Sequence, residues 1–291
     1  MRSVTATLPD GLVLEAPSQF EADVLYREIV VERTYERHGI QLAPNAVVFD
    51  IGANMGLFTI HVARTIEGVR VHAFEPIAEM FAILQRNLSA HAPTAVARQI
   101  AIADRDGEAV FEVDRFAMMA STMRPRVFDV QFEAAAGESA EAALGDLARL
   151  APHDRTVEAL RRGLTRPLIR PAVVALMASA LAALRLRRRL YLKRETYELR
   201  TLSRALAESG VDAVDLVKID VEGAEESVVA GIADADWPRL RQFVIEVHDV
   251  DGRLERMAST LERRGYRTVR AREDWSMHEL LKIWTLYAIR A

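Results

Sequence analysis

Val47 to Pro76 reads VVFDIGANMGLFTIHVARTIEGVRVHAFEP, and this stretch decides the fold. It opens on a short apolar run, Ala46 to Asp50, that ends in a carboxylate. A glycine-containing turn follows, and Leu57 to Arg64 has the length and composition of a helix. Val69 to Phe74 repeats the apolar run and again ends in an acid, Glu75, followed by Pro76. Near-continuous apolar strands that alternate with helices predict an α/β fold whose parallel sheet is covered on both faces.

The pattern extends in both directions. Upstream, Phe20, Val24, Ile29, Val31 and Tyr35 recur at roughly helical spacing, which predicts an N-terminal helix over residues 18–39, closed by Gly39. Downstream, Ala78 to His91 reads as a second crossover helix, Val96 to Ala103 as a third strand and Ala109 to Val113 as an extra one. From Phe116 to about residue 195 the rhythm breaks into Ala-, Arg- and Leu-rich sequence punctuated by Pro152, Pro167 and Pro171, which reads as a helical insertion. The sheet pattern then returns, with a helix at Leu199 to Ser209, a strand at Val214 to Asp220, a helix from Ala224, a strand at Gln242 to His248 and a helix at Leu254 to Arg264. Tyr266 to Arg272 and Ile283 to Ala291 read as strands with no crossover helix between them, hence an antiparallel terminal pair at the sheet edge. One Rossmann-like domain over residues 1–291, carrying a helical lid at about 116–195, is the expected organisation.

Composition narrows the chemistry. The 291 residues include no cysteine, which excludes disulfide scaffolds, thiolate zinc sites and a cysteine nucleophile. With 38 Lys plus Arg against 42 Asp plus Glu, the formal net charge is -4 and gives no global drive towards nucleic acid. The first residues lack the pattern of a secretory signal, so a cytoplasmic enzyme is expected. The apolar run Ala172 to Leu184 would make a helix of about 20 Å, short of the roughly 30 Å of bilayer hydrocarbon. Residues 160–194 hold ten positive side chains and no acid. This basic segment has three readings: a solvated lid, a dock for an acidic carrier protein, or an interfacial helix on an anionic membrane surface.

In an open parallel sheet, ligands bind beyond the carboxyl ends of the strands. The first strand ends Asp50-Ile-Gly52-Ala-Asn54-Met-Gly56, a loop that lets a ligand approach while a helix N-terminus supplies amide donors. Glu75, 23 residues after Gly52, stands where an acid accepts two ribose hydroxyls. Asn54 occupies the position at which a dinucleotide motif needs its second glycine, so a nicotinamide cofactor is disfavoured. An acid that opens the loop suits a sulfonium or ammonium group, as in S-adenosylmethionine. Taken singly, Gly52 and Gly56 need be no more than a tight turn, and Asp104 sits in an Asp-Arg-Asp-Gly turn that explains itself.

Val47 to Pro76, Lys218 to Glu225 (KIDVEGAE) and Phe243 to Gly252 (FVIEVHDVDG) resemble the three signature stretches of the FkbM family of S-adenosylmethionine-dependent methyltransferases. The lead-in that ends ERHGI at Ile40 is similar to the family's N-terminal helix, and the segment from about 124 to 195 departs from the pattern. The resemblance implies a class I methyltransferase sheet, a cofactor held by the Asp50 to Gly56 loop with Glu75 and Pro76, and a hydroxyl acceptor on a natural product, sugar or carrier-bound acyl chain. Asp220 and Asp104, at later strand ends, complete the expected cofactor set.

Methyl transfer to a hydroxyl requires a base. His248, at a strand end, is the leading candidate, with Glu246 on the same strand face and Asp220 and Glu222 as a second same-face pair. His248 can instead be a structural strand-end residue, and Lys218 a structural ion-pair partner of Asp220. A metal-free mechanism is preferred; in the alternative, Asp220, Glu246 and His248 hold a divalent ion. The competing function is a non-catalytic nucleoside-binding module that recruits its partner through the basic insert.

Overall fold

The computed structural model describes residues 3–114, 192–272 and 282–290, together with residues 159, 162, 166 and 179. The basic lid expected at 116–195 therefore lies outside the described residues, but for those four isolated positions and residues 192–195. The chain opens with a hairpin, β1 (Val4–Thr7) and β2 (Val13–Ala16), which the sequence reading missed. A short helix, α1 (Gln19–Tyr26), follows, N-capped by the Ser18 hydroxyl. The single helix expected over 18–39 does not form: α1 runs into a π-turn at Arg27–Val31 and then a 3-10 turn at Thr34–Glu36. The β-branched run Ile29-Val30-Val31 and the left-handed backbone of Arg33 (φ 52°) account for the break.

Next come β3 (Val47–Ile51), α2 (Leu57–Thr65), β4 (Arg70–Phe74), α3 (Ala78–His91) and β5 (Val96–Arg98). The third strand expected over 96–103 divides after Arg98. Its second part, β6 (Ala101–Ala103), leaves the main sheet and joins β7 (Gly107–Asp114) and β8 (Leu192–Thr201) in a three-stranded side sheet ordered β6-β8-β7. Residues 192–195, expected in the insert, and 199–201, expected to open a helix, are thus strand; α4 (Leu202–Ser209) starts only where Thr201 caps it. The chain then follows the predicted rhythm through β9 (Leu216–Ile219), α5 (Glu225–Ala230), β10 (Gln242–His248), α6 (Arg253–Arg263), β11 (Tyr266–Ala271) and β12 (Ile283–Arg290).

The main sheet has seven strands in the order β11-β12-β10-β9-β3-β4-β5. Only β12 runs antiparallel; it pairs with β11 on one side and β10 on the other, so the terminal pair forms one edge of the sheet, as expected. Period-two alternation sorts the core. Val48, Val71, Leu216, Val244 and Tyr287 pack with the hairpin and helices α1 to α3. Val47, Phe49, Val217, Phe243 and Leu286 pack with α4 to α6. Because β3 has β4 on one side and β9 on the other, the chain reverses direction of travel there, and the carboxyl ends of β3, β4 and β9 open a crevice. Among the described residues no helix is long and apolar enough to cross a membrane.

Asn87 ties the N-terminal hairpin to this frame. Its buried side chain accepts from Glu15 N–H at 2.8 Å and donates to the carbonyls of Glu15 and Met55, each at 2.8 Å. Replacement by alanine strands three backbone groups, the buried Met55 carbonyl and the half-buried N–H and carbonyl of Glu15. Asn87→Ala is expected to cost about 2–4 kcal/mol in denaturant unfolding.

Candidate active site

A cleft of about 880 Å3, open to solvent, lies over the carboxyl ends of β3, β4, β9 and β10. One end is apolar, walled by Phe74, Ile77, Met80, Ile102 and Phe111, with Glu75 and Pro76 at its base. The other end is acidic, with Asp220, Glu222 and Glu246 from the strand ends and Glu28 from the N-terminal segment.

Glu75 is nearly buried, and each of its oxygens accepts one backbone amide: Oε1 from Ile77 at 2.9 Å and Oε2 from Asn54 at 3.0 Å. Burial outweighs these bonds and pushes its carboxyl up to about 7. Asn54 presents that amide from a left-handed backbone (φ 52°), a conformation asparagine tolerates, and its own Oδ1 accepts from Met55 N–H at 2.7 Å. Asparagine therefore fits this position as a backbone-shaping residue. Gly52 also lines the cleft, and a Cβ placed there would stand 1.7 Å from the Asp220 carbonyl oxygen. Two strand-end loops thus touch backbone to backbone, which only glycine permits. Gly56 does a different job from the one expected: its missing Cβ makes room for Leu84 of α3, and it does not line the cleft.

Two further expected cofactor residues stand away from the cleft. Asp50 is fully buried, accepts the Thr59 hydroxyl at 2.7 Å and pairs with the Lys218 ammonium at 3.2 Å. Register explains its placement, because Asp50 pairs with Lys218 across β3 and β9. Asp104 is exposed and pairs with its neighbour Arg105, as its turn sequence allows.

At the acidic end, Lys218 Nζ reaches Asp50, Asp220 (3.4 Å) and the Gly52 carbonyl (3.0 Å), so its role is an ion pair. His248 is buried with both ring nitrogens engaged: Nδ1 at 3.0 Å from Glu225 and Nε2 at 3.2 Å from Glu222. Burial opposes its charge, but the two carboxylates prevail and hold its pKa well above the ordinary value. The sequence reading missed Glu225, which is fully buried, accepts from Gly223 N–H at 2.7 Å and pairs with Arg253 at 2.9 Å. An acid in the first turn after KIDVEG, three residues beyond Glu222, was the available signal. Glu222 itself has a left-handed backbone (φ 50°), the kind of strain that persists where surroundings over-determine it. Glu246 is pushed well above the usual carboxylate range by burial, with Asp220 and Glu28 adding repulsion.

Donor atoms of Glu222, Glu246 and His248 lie within 4.8 Å of one another, a geometry able to hold a metal ion. The set differs from the expected one. Glu222 replaces Asp220, whose carboxylate faces Lys218.

Residues 50–268 match the family described as Methyltransferase FkbM domain. The chain is 36% identical over 270 residues to 31-O-demethyl-FK506 methyltransferase FkbM of Streptomyces tacrolimicus, covering 93% of this chain and 91% of that protein. It is 32% identical over 288 residues to the AMB antimetabolite synthetase AmbE of Pseudomonas aeruginosa, covering 97% of this chain and 12% of that protein. The crystal structure of a methyltransferase FkbM from Methylobacillus flagellatus KT aligns over 94% of this chain and 54% of that one, at 14% identity and a TM-score of 0.46.

Two outcomes follow from the geometry. Gly52→Ala forces the β3 and β9 loops apart and is expected to take S-adenosylhomocysteine binding below detection by calorimetry. Burial also pushes Glu21, Glu28 and Glu75 up to about 7, each from an ordinary 4.5. The folded chain holds protons there that the unfolded chain releases, so their stabilising contribution is complete below about pH 4.5 and is lost as pH rises through about 7. The ligand-free melting temperature is expected to fall over that window, with a shallower slope in Glu75→Gln.

Proposed function

We propose, from the premise that this chain belongs to the FkbM methyltransferase family and takes its methyl group from S-adenosylmethionine, that the acceptor is a hydroxyl oxygen on a small or carrier-bound molecule. The residues present suit the donor. The Glu75 carboxylate, aimed by two amides, has lone pairs left for ribose hydroxyls, the apolar end suits an adenine ring, and the acidic end suits positive charge. The bound donor supplies a methyl on a sulfonium, whose departure as a neutral thioether calls for no acid on the leaving side.

What the chain must do is align an oxygen and receive its proton. The observation that carries the reading is the triangle of Glu222, Glu246 and His248 at the acidic end. His248, held doubly protonated between two carboxylates, is a poor base and a good fixed positive charge. Glu246 lines the cleft, and its raised affinity for a proton fits it to take the one that a hydroxyl gives up. Glu225 and Arg253 hold the imidazole from behind.

The same triangle supports a second, metal-assisted reading. Two carboxylates and an imidazole whose other nitrogen is held by a buried acid form a donor set suited to Mg, Mn or Zn. A divalent ion there would lower the pKa of the acceptor hydroxyl.

The test is mass spectrometry of free and carrier-bound hydroxyl acceptors incubated with S-adenosylmethionine, with and without a chelator. A gain of one methylene unit on oxygen is expected. Glu246→Gln should lower turnover by about a hundredfold or more while S-adenosylhomocysteine affinity is kept. Product only on nitrogen or carbon acceptors would overturn the hydroxyl assignment, and loss of product with chelator would select the metal-assisted form.

A further inference from the structure

Glu28 and Tyr35 come from the N-terminal segment, ahead of residue 50 where the family match begins. Glu28 lies in the π-turn Arg27–Val31 and lines the acidic end of the cleft, opposite the strand-end acids. A π-turn admits one extra residue per turn and redirects the side chains on it, a distortion concentrated at functional sites. The segment is anchored. Tyr287 of β12 donates to the Thr34 carbonyl at 2.6 Å, and the buried Tyr35 ring meets Phe58 edge-on at 5.2 Å. From that fixed position the Tyr35 hydroxyl donates to Glu28 Oε1 at 2.8 Å and lies 3.4 Å from Asp220 Oδ2. Among the described residues, the cation acting on Glu28 is Lys218, which is already held between Asp50 and Asp220. Tyr35 therefore orients a carboxylate that lines the cleft, beside a lysine whose charge is shared with two other acids.

We propose that Glu28 is a donor-specificity residue, facing the cationic part of the donor so that the cleft prefers the charged S-adenosylmethionine over its uncharged-sulfur product, with Tyr35 as its positioning residue. The inference rests on donor binding and not on which atom accepts the methyl. A carboxylate opposite a sulfonium gains only while the sulfur is charged. Transfer removes that charge, so the same residue that favours donor entry weakens retention of the spent product.

The test is calorimetric titration of the intact chain with S-adenosylmethionine and with S-adenosylhomocysteine, near pH 8 so that Glu28 is ionised. Glu28→Gln keeps the volume and the Tyr35 contact while removing the charge. It is expected to weaken S-adenosylmethionine about tenfold and S-adenosylhomocysteine by less than about twofold, collapsing the preference between them. Tyr35→Phe retains the ring on Phe58 and Lys218 and should move the ratio the same way by a smaller factor. Equal loss for both ligands, or no change in either, in Glu28→Gln would overturn the proposal. If the parent chain bound neither ligand, the donor reading itself would fall, an outcome distinct from a parent that binds both with a ratio indifferent to Glu28.

Discussion

The Lys218 ammonium is the contact on which the rest of the site depends. It is buried at the centre of the sheet, where an unpaired charge would cost several kcal/mol, and it is kept charged by Asp50 and Asp220 and by the Gly52 carbonyl. Those three partners belong to the ends of β3 and β9, the strands between which the cleft opens. A fourth contact, the Tyr35 ring 5.3 Å from Nζ, adds the N-terminal segment. One cation thus joins the loop after β3, the acidic end of β9 and the segment that delivers Glu28. Taking away the ammonium would leave two carboxylates side by side without a counter-charge, which is why these residues form a unit.

Strand parity explains how that unit arises without special loops. Val48 and Asp50, Leu216 and Lys218, and Val244 and Glu246 each share a face, and the three apolar members pack in the core cluster of α1 to α3. The polar member of each pair is simply the next residue of the same face, carried past the core to the carboxyl end. Parallel register brings the three together, with Asp50 opposite Lys218 and Lys218 opposite Val244, two residues from Glu246. The other face of the same strands, with Val217 and Phe243, stays apolar beneath α4 to α6.

This logic also separates what was legible in the sequence from what was not. Strand and helix order could be read because each element buries a continuous apolar run, as β10 and α3 show at their predicted bounds. The hairpin β1–β2, only four residues per strand, has too short a pattern to stand out. The break in the N-terminal helix turned on local geometry that periodicity does not encode, and with it the role of Glu28 was hidden. The acids at strand ends were legible as a group but not by function. Asp50 and Glu75 end consecutive strands in similar sequence, yet only Glu75 reaches the cleft, since the pairing partner of Asp50 is a lysine. Glu225 was passed over because its importance lies in what it touches, His248 and Arg253, and that contact spans 23 and 28 positions of sequence.

Environment, more than residue type, divides the work among these carboxylates. Glu225 has its charge matched by His248 and Arg253 and stays below the ordinary carboxylate range despite complete burial, so it is a fixed anion. For Glu75, Glu28 and Glu246 the nearby charge of Lys218 or His248 offsets burial only in part, and burial drives each upward. A site meant only to be stable would not keep three poorly balanced acids around one cleft, because each costs free energy in the empty protein. The uneven balance of charge around the cleft is what the proposed ligand would answer: a molecule with hydroxyls for Glu75 and a cation for the acidic end.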